Sequence, residues 1–450
     1  MSTGGDPVSA FIEAASVPLE GWHASGTLDA ANAILAAHPS LADADVYAAA
    51  TLGDDDAVRR HLARDPAAAT AKGGPRGWDA LTYLCFSRYL RLDPARSDGF
   101  VRAAATLLDA GANARTGWYE TSHQPRPEWE SALYGAAGVA HNAGVTRLLL
   151  EHGADPNDGE VVYHAPESHD NAVVRLLLET GKLTDDSLML MLIRKLDWHD
   201  RDGVQLLLGQ GIDLNQPRFQ GWLPLHHSLA RDNELGIVDL LLDHGANPEA
   251  RQHGIAAVAR AAYRGRGDVL DSLERRGVAI RLNGVEALIA ACARNDADRV
   301  RDIAAREPGL AAQVAAHGGT LLAEFAGTGN AAGVGLLLDL GVPVTAGYAR
   351  GDGYFGVPAG STALHVAAWR ARHDVVRLLL ARGAPVDVMD PQGRTPLELA
   401  VRACVDSYWT GRRTPESVAA LLDAGASAAG VPYPSGYAEV DALLATHRQR

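Results

Sequence analysis

The stretch Ser361–Gly383, S-T-A-L-H-V-A-A-W-R-A-R-H-D-V-V-R-L-L-L-A-R-G, decides how the rest of the chain is read. Thr362 precedes an apolar run, where its hydroxyl can cap a helix start. Ala367 and Ala368 are small enough to let neighbouring helices approach closely. The run Leu378–Leu380 supplies the packing face of a second helix, and Gly383 closes it, because a helix often ends in a residue at positive φ that glycine adopts without strain. The Leu-rich run with its closing glycine recurs at Gly111, Gly153, Gly181, Gly211, Gly245, Gly277, Gly309, Gly341, Gly383 and Gly425. The steps are 42, 28, 30, 34, 32, 32, 32, 42 and 42 residues, a repeat array with three longer units.

The quoted stretch resembles one unit of the ankyrin-repeat family, whose pattern runs T-P-L-H-x-A-A-x-x-G-H-x-x-x-V-x-x-L-L-x-x-G-A. The pattern is best kept at Leu223–Ser228, Thr362–Ala368 and Thr395–Ala400, and other units are identified by their second helices and closing glycines. The chain looks like the degenerate, bacterial type of that family, with aromatic loop insertions. The resemblance implies an all-α fold: an ankyrin-repeat solenoid of about eleven helix-turn-helix units with long groove-side loops, each unit contacting only its neighbours. Residues 1–44 are expected to form an N-terminal segment and cap, 45–425 the repeat array, and 426–450 a C-terminal cap and tail.

Four insertions break the period. They are Arg91–Gly99, Arg115–Glu130 with Trp118, Tyr119 and Trp129, Thr345–Gly360 with Tyr348, Tyr354 and Phe355, and Asp406–Pro415 with Tyr408, Trp409, Arg412 and Arg413. Long aromatic loops suit binding better than spacing. Composition narrows the partner class. A net charge of -14 lacks the basic excess of a phosphate-backbone binder, so nucleic acid is not expected. No run approaches the roughly 18 apolar residues of a membrane span, and Met1–Pro7 does not read as a signal peptide, so a cytoplasmic monomer is expected. Cys85, Cys292 and Cys404 are too few and too scattered for a disulfide framework and read as buried thiols.

In the family, the two positions after the alanine pair, together with the loop tips, carry ligand contacts. Carried over, they give Glu167 and Asp197 first, then Trp198, Arg231, Tyr263, Arg264, Arg294, Trp369, Arg370 and Arg402, with Trp118 and Tyr354 in the loops. Guanidinium forks match carboxylate or phosphate, and the interleaved aromatic rings add rigid contact area. The implied function is a binding protein that captures a partner with acidic or carboxylate-bearing groups, or a small anionic ligand, on a concave groove.

Histidines support a second reading. His164, Glu167, His169 and Asp170 cluster at a unit that departs from the family pattern, followed by Asp197, Trp198 and His199 and then by His226 and His227. A histidine beside carboxylates can move protons near neutral pH, so Glu167, Asp197, His164 and His169 are the candidate catalytic groups if the chain is an enzyme acting on a small anionic molecule. His226 and His365 fall at the family's structural histidine. No H-E-x-x-H, C-x-x-C, phosphate-loop or nucleophile-elbow signature occurs, so neither a metal nor a cofactor is expected.

Overall fold

A computed structural model describes residues 6–218, 221–407 and 409–448, so Tyr408 of the fourth insertion lies outside the described residues. The chain forms two compact units, residues 1–227 and 228–450. Both are built from successive pairs of short helices, as the repeat pattern requires.

In the first unit the helix Val46–Leu52 packs on Ala80–Cys85, and the partner helices Asp55–Arg64, Ser97–Asp109 and Ala143–Glu151 pack in series. In the second unit Ala257–Tyr263, Gly284–Ala293, Pro308–Thr328, Ala363–Trp369 and Pro396–Asp406 stack one on the next. The alanine pairs Ala49–Ala50, Ala136–Ala137, Ala261–Ala262 and Ala367–Ala368 are all buried at these contacts. Their small volume permits close packing, and a larger side chain there would strain the stack.

The helix starts follow from capping chemistry. Thr362 and Thr395 each form a capping box, closed by His365 and Glu398 respectively. His365 is buried, and its Nε2 lies 2.9 Å from the carbonyl of Val388 in the following loop. Nine of the ten closing glycines adopt positive φ, from 62° at Gly181 to 98° at Gly111.

Gly309 corrects the tenth. The helix Ala297–Arg306 ends before it, and Gly309 instead sits in the first turn of Pro308–Thr328, which runs 21 residues to Gly329 at φ 85°. Pro308 presets the first turn, and the helix runs on through Gly318 and Gly319, whose bare backbone lies against Val342 and Gly347, so this first helix is three times the length of its neighbour Ala363–Trp369.

The insertions are ordered. Arg115–Glu130 contains an antiparallel hairpin rather than an irregular loop, strand Gly117–Glu120 pairing with Glu128–Ser131 so that Trp118 faces Glu130 and Tyr119 faces Trp129. Residues 345–360 are pinned by bridges Gly347↔Thr362 and Asp352↔Val357. Residues 91–99 run from the short helix Arg88–Leu92 into Ser97–Asp109. All three cysteines are free and buried, and burial pushes the Cys292 thiol up to about 12 and Cys404 to about 11. Among the described residues, no helix is long and apolar enough to cross a membrane.

Candidate functional site

Eight of the helix pairs turn through one residue at positive φ. Glycine fills that place at Gly53, Gly265 and Gly329, whereas His141, His199, Asp232, Asn295 and Ala371 occupy it elsewhere. The next residue normally caps the second helix with its side chain, as Asp54, Asn142, Asp200, Asp296 and Asn330 do. In the second unit Arg266 and Arg372 hold this capping place, and neither side chain caps. Giving up a cap costs about 1 kcal/mol. What the two arginines do instead defines the site.

Arg266 pairs with Asp268 at 2.8 Å and donates to the Asn233 carbonyl at 2.7 Å, and Arg372 turns to the neighbouring Asp232, a buried carboxylate on a left-handed backbone at φ 56°. It accepts hydrogen bonds from Arg370 Nη2 at 2.8 Å and from Arg372 Nη2, and Arg266 Nη1 lies 3.7 Å away. Burial alone would raise its pKa, but Arg370, Arg372 and Arg266 together hold it well below the usual carboxylate range. Arg370 is 2% exposed, its guanidinium 4.1 Å from the Phe355 ring centroid and 5.2 Å from that of Trp409, two rings that pack on each other at 5.3 Å. Burial pulls Arg370 down to about 10, against the attraction of Asp232. Arg412 lies 4.8 Å from the Trp409 ring and is pulled down by burial to about 9.

Beside this centre Arg264 pairs with Glu324 at 2.8 Å, and the Tyr348 hydroxyl donates to the same carboxylate at 2.7 Å. Burial opposes the Arg264 charge, but Glu324 and Asp232 more than restore it. Arg260 is lowered by burial and by Arg264. Arg260, Arg264, Arg266, Arg370, Arg372 and Arg412 thus face Asp232, Asp268, Glu324 and Asp352, six guanidiniums against four carboxylates. Five of their nitrogens are buried without a hydrogen-bond partner among the described residues: Nε and Nη2 of Arg264, and one each on Arg260, Arg370 and Arg412. A buried donor left unmade costs about 1–3 kcal/mol, more when charged. The site therefore has spare capacity for an anion.

Several residues named from sequence meet here. Arg264 and Arg370 belong to the cluster. Trp369 is buried and donates Nε1–H to the Phe355 carbonyl at 2.6 Å, so it holds the 345–360 insertion in place. Arg231 lies over the Tyr354 ring at 3.7 Å. Tyr263 is half-buried, and burial raises its phenol. Arg294 is drawn elsewhere, pairing with Asp271 at 2.8 Å and Glu274 at 2.5 Å, and Arg402 overlies Trp369 and pairs with Asp406.

In the first unit three of the four candidate proton-transfer groups, His164, Glu167 and Asp197, form one chain of contacts. His164 Nδ1 lies 2.9 Å from Glu167 Oε2 and its Nε2 lies 3.3 Å from Glu160. Glu167 also accepts from Arg194, which donates to Asp197 at 2.5 Å, and Asp197 meets His227 Nε2 at 2.7 Å. Burial opposes the His164 charge, yet Glu160 and Glu167 raise its pKa to about 9. Burial likewise opposes the Glu167 charge, but His164 and Arg194 lower its pKa overall. At neutral pH His164 is therefore a cation and Glu167 an anion, an arrangement of ion pairs rather than a free base. His169 is exposed and meets Trp198, itself 37% exposed, edge to face at 5.8 Å. Trp118 is buried, stacked on Trp78 at 5.1 Å.

The sequence reading missed Asp232, Arg266, Arg372, Arg260 and Glu324, and named Arg412 only as part of the fourth insertion. A signal for the first three was present: a charged residue in a glycine place, and arginine in two capping places. The fold defines a helical repeat protein carrying a buried arginine cluster.

Comparison with known families agrees with the repeat. The model described as "Ankyrin repeat" matches residues 220–253, and the one described as "Ankyrin repeats (many copies)" matches 337–400. The chain thus contains ankyrin repeats over these two stretches. No match was found among curated proteins.

Proposed function

We propose that the second unit captures an anionic group, a carboxylate or phosphate on a protein partner or small ligand, at the arginine cluster around Asp232. Ankyrin repeats generally mediate protein–protein interaction, which is consistent with a binding role. The observation that carries the proposal is the set of five buried guanidinium nitrogens without acceptors among the described residues. Guanidinium is the least hydrated of the protein's cations and presents parallel N–H groups that a carboxylate or phosphate accepts in pairs. Phe355, Trp409 and Tyr354 supply flat apolar contact beside the charge. Acid–base catalysis by Glu167, Asp197, His164 or His169 ranks behind this reading. Three of those groups are already engaged in ion pairs, and His169 is exposed.

Titration of tryptophan fluorescence with inorganic phosphate and with an acidic peptide tests the proposal. Arg264→Met should weaken binding at least tenfold while keeping the helical circular-dichroism signal, since the long apolar side chain preserves packing. Equal affinity of wild type and Arg264→Met for both probes would refute it.

A further inference from the structure

We propose that His23, Glu120 and Glu130 form a binding site for a divalent transition-metal ion in the first unit. This goes beyond anion capture and rests on different residues.

The hairpin register sets up the site. Trp118 pairs with Glu130 and Glu120 with Glu128, so Trp118, Glu120, Glu128 and Glu130 share one face. Like charges side by side on one face of a strand pair repel, and in the protein interior the repulsion grows. His23, from the segment after the helix Pro7–Ala15, is brought to this same face. Its ring meets Trp118 edge on at 5.6 Å, and its Nε2 lies 3.5 Å from Glu120 Oε2. One ligand atom from each of His23, Glu120 and Glu130 falls within 4.8 Å of the others.

Two independent features point to a cation. His23 is 4% exposed and Glu130 2%, and both His23 Nε2 and Glu130 Oε2 are buried without a hydrogen-bond partner among the described residues. In addition, His23 Nδ1 lies 3.0 Å from the Tyr134 hydroxyl. In the tautomer whose Nδ1–H donates to that oxygen, Nε2 presents its lone pair toward Glu120, while Glu130 Oε2 lies 4.0 Å from Nδ1 at the edge of the same ring. A partner on the far nitrogen is how metal-binding histidines are oriented. Lone pair facing carboxylate is repulsive on its own and favourable around a positive ion.

An imidazole with two carboxylates is a nitrogen–oxygen donor set suited to Zn2+ or Mn2+. Metal–ligand bonds of about 2.0–2.2 Å put ligand atoms no more than roughly 4.3 Å apart, close to the spacing within which these three already lie. Three protein ligands leave a coordination position for water.

The test uses the full chain, freed of metal by chelator and dialysed against Zn2+, Mn2+ or Co2+, with bound metal measured by elemental mass spectrometry. Wild type should bind one ion, and Co2+ should give visible absorption bands of nitrogen–oxygen coordination. His23→Gln, Glu120→Gln and Glu130→Gln should each weaken binding at least tenfold and remove the bands. Zn2+ should raise the Tm of wild type and not that of Glu120→Gln, whose side chain lies nearest the surface and is the variant expected to fold unchanged. Wild type that takes up none of the three ions overturns the proposal. So does stoichiometry or Co2+ absorption that persists in Glu120→Gln, because the ion would then sit on other histidines.

Discussion

Asp232→Asn isolates the charge at the centre of the arginine cluster. Asparagine matches the shape of aspartate and tolerates the left-handed backbone at φ 56°, so the substitution removes one negative charge and little else. At an effective dielectric of 20, a charge pair about 4 Å apart is worth roughly 4 kcal/mol, and Asp232 has two close partners in Arg370 and Arg372. The gross loss is therefore about 8 kcal/mol, offset by several kcal/mol that no longer go into desolvating the carboxylate. A net destabilisation of about 3 kcal/mol remains, at the low end for breaking a buried ion pair, because the amide oxygen still accepts. For a unit of 223 residues, 228–450, each kcal/mol moves Tm by about 2–4 °C, so Tm should fall by roughly 6–12 °C. Scanning calorimetry measures it. Phosphate should recover more of the lost Tm in Asp232→Asn than it adds to wild type, since it replaces the missing charge. The folded-state pKa of Asp232 is depressed, so its contribution is present above the unfolded value near 3.9 and vanishes as pH falls through the folded value. The gap between wild type and variant should accordingly narrow in acid. A Tm within 2 °C of wild type at pH 7 would refute the ion-pair account of the centre.

Two further perturbations test the scaffold. His164 has a folded pKa raised to about 9, so the stability it contributes is complete below about 6.5 and is lost as pH rises through 9. With its side chain 24% exposed, this amounts to about 2–3 kcal/mol; urea unfolding of wild type should weaken between pH 7 and 9.5, and His164→Gln should flatten that slope. Gly309→Ala should stabilise by about 0.4–1 kcal/mol, because the residue lies in a helical turn with open space at its Cβ, whereas Gly383→Ala at φ 78° should destabilise by about 1–2 kcal/mol. Opposite signs in thermal melts distinguish the two glycines, and like signs would contradict the reassignment of Gly309.

The repeat was legible because it is written in local chemistry: leucine runs, alanine pairs, capping threonines and closing glycines each act within one helix pair. Gly309 misled because it falls 32 residues from both Gly277 and Gly341, in step with the period, while Pro308 just before it begins a helix instead of following one. Arg264 and Arg370 could be named from their place in the unit, but their partners could not. Asp232 reaches Arg370 across 138 positions, and His23 meets Tyr134 across 111. Such pairs are set by how units stack and by where an inserted hairpin folds back, which no window of one repeat contains. Trp369 showed the same limit: its position marked it as a contact residue, and its indole proved to be tied to the backbone of an insertion.

The bond from His365 to Val388 spans 23 residues and passes over Gly383, where the sequence repeat closes. A chain cut at Gly383 would keep all of its last repeat yet strip the ring of the acceptor that orients it, loosening the helix start at Thr362. The piece that repeats and the piece that folds are thus out of phase by one loop. Shortening or recombining this array should join segments after Val388 or its counterparts, so that each histidine keeps the carbonyl it leans on.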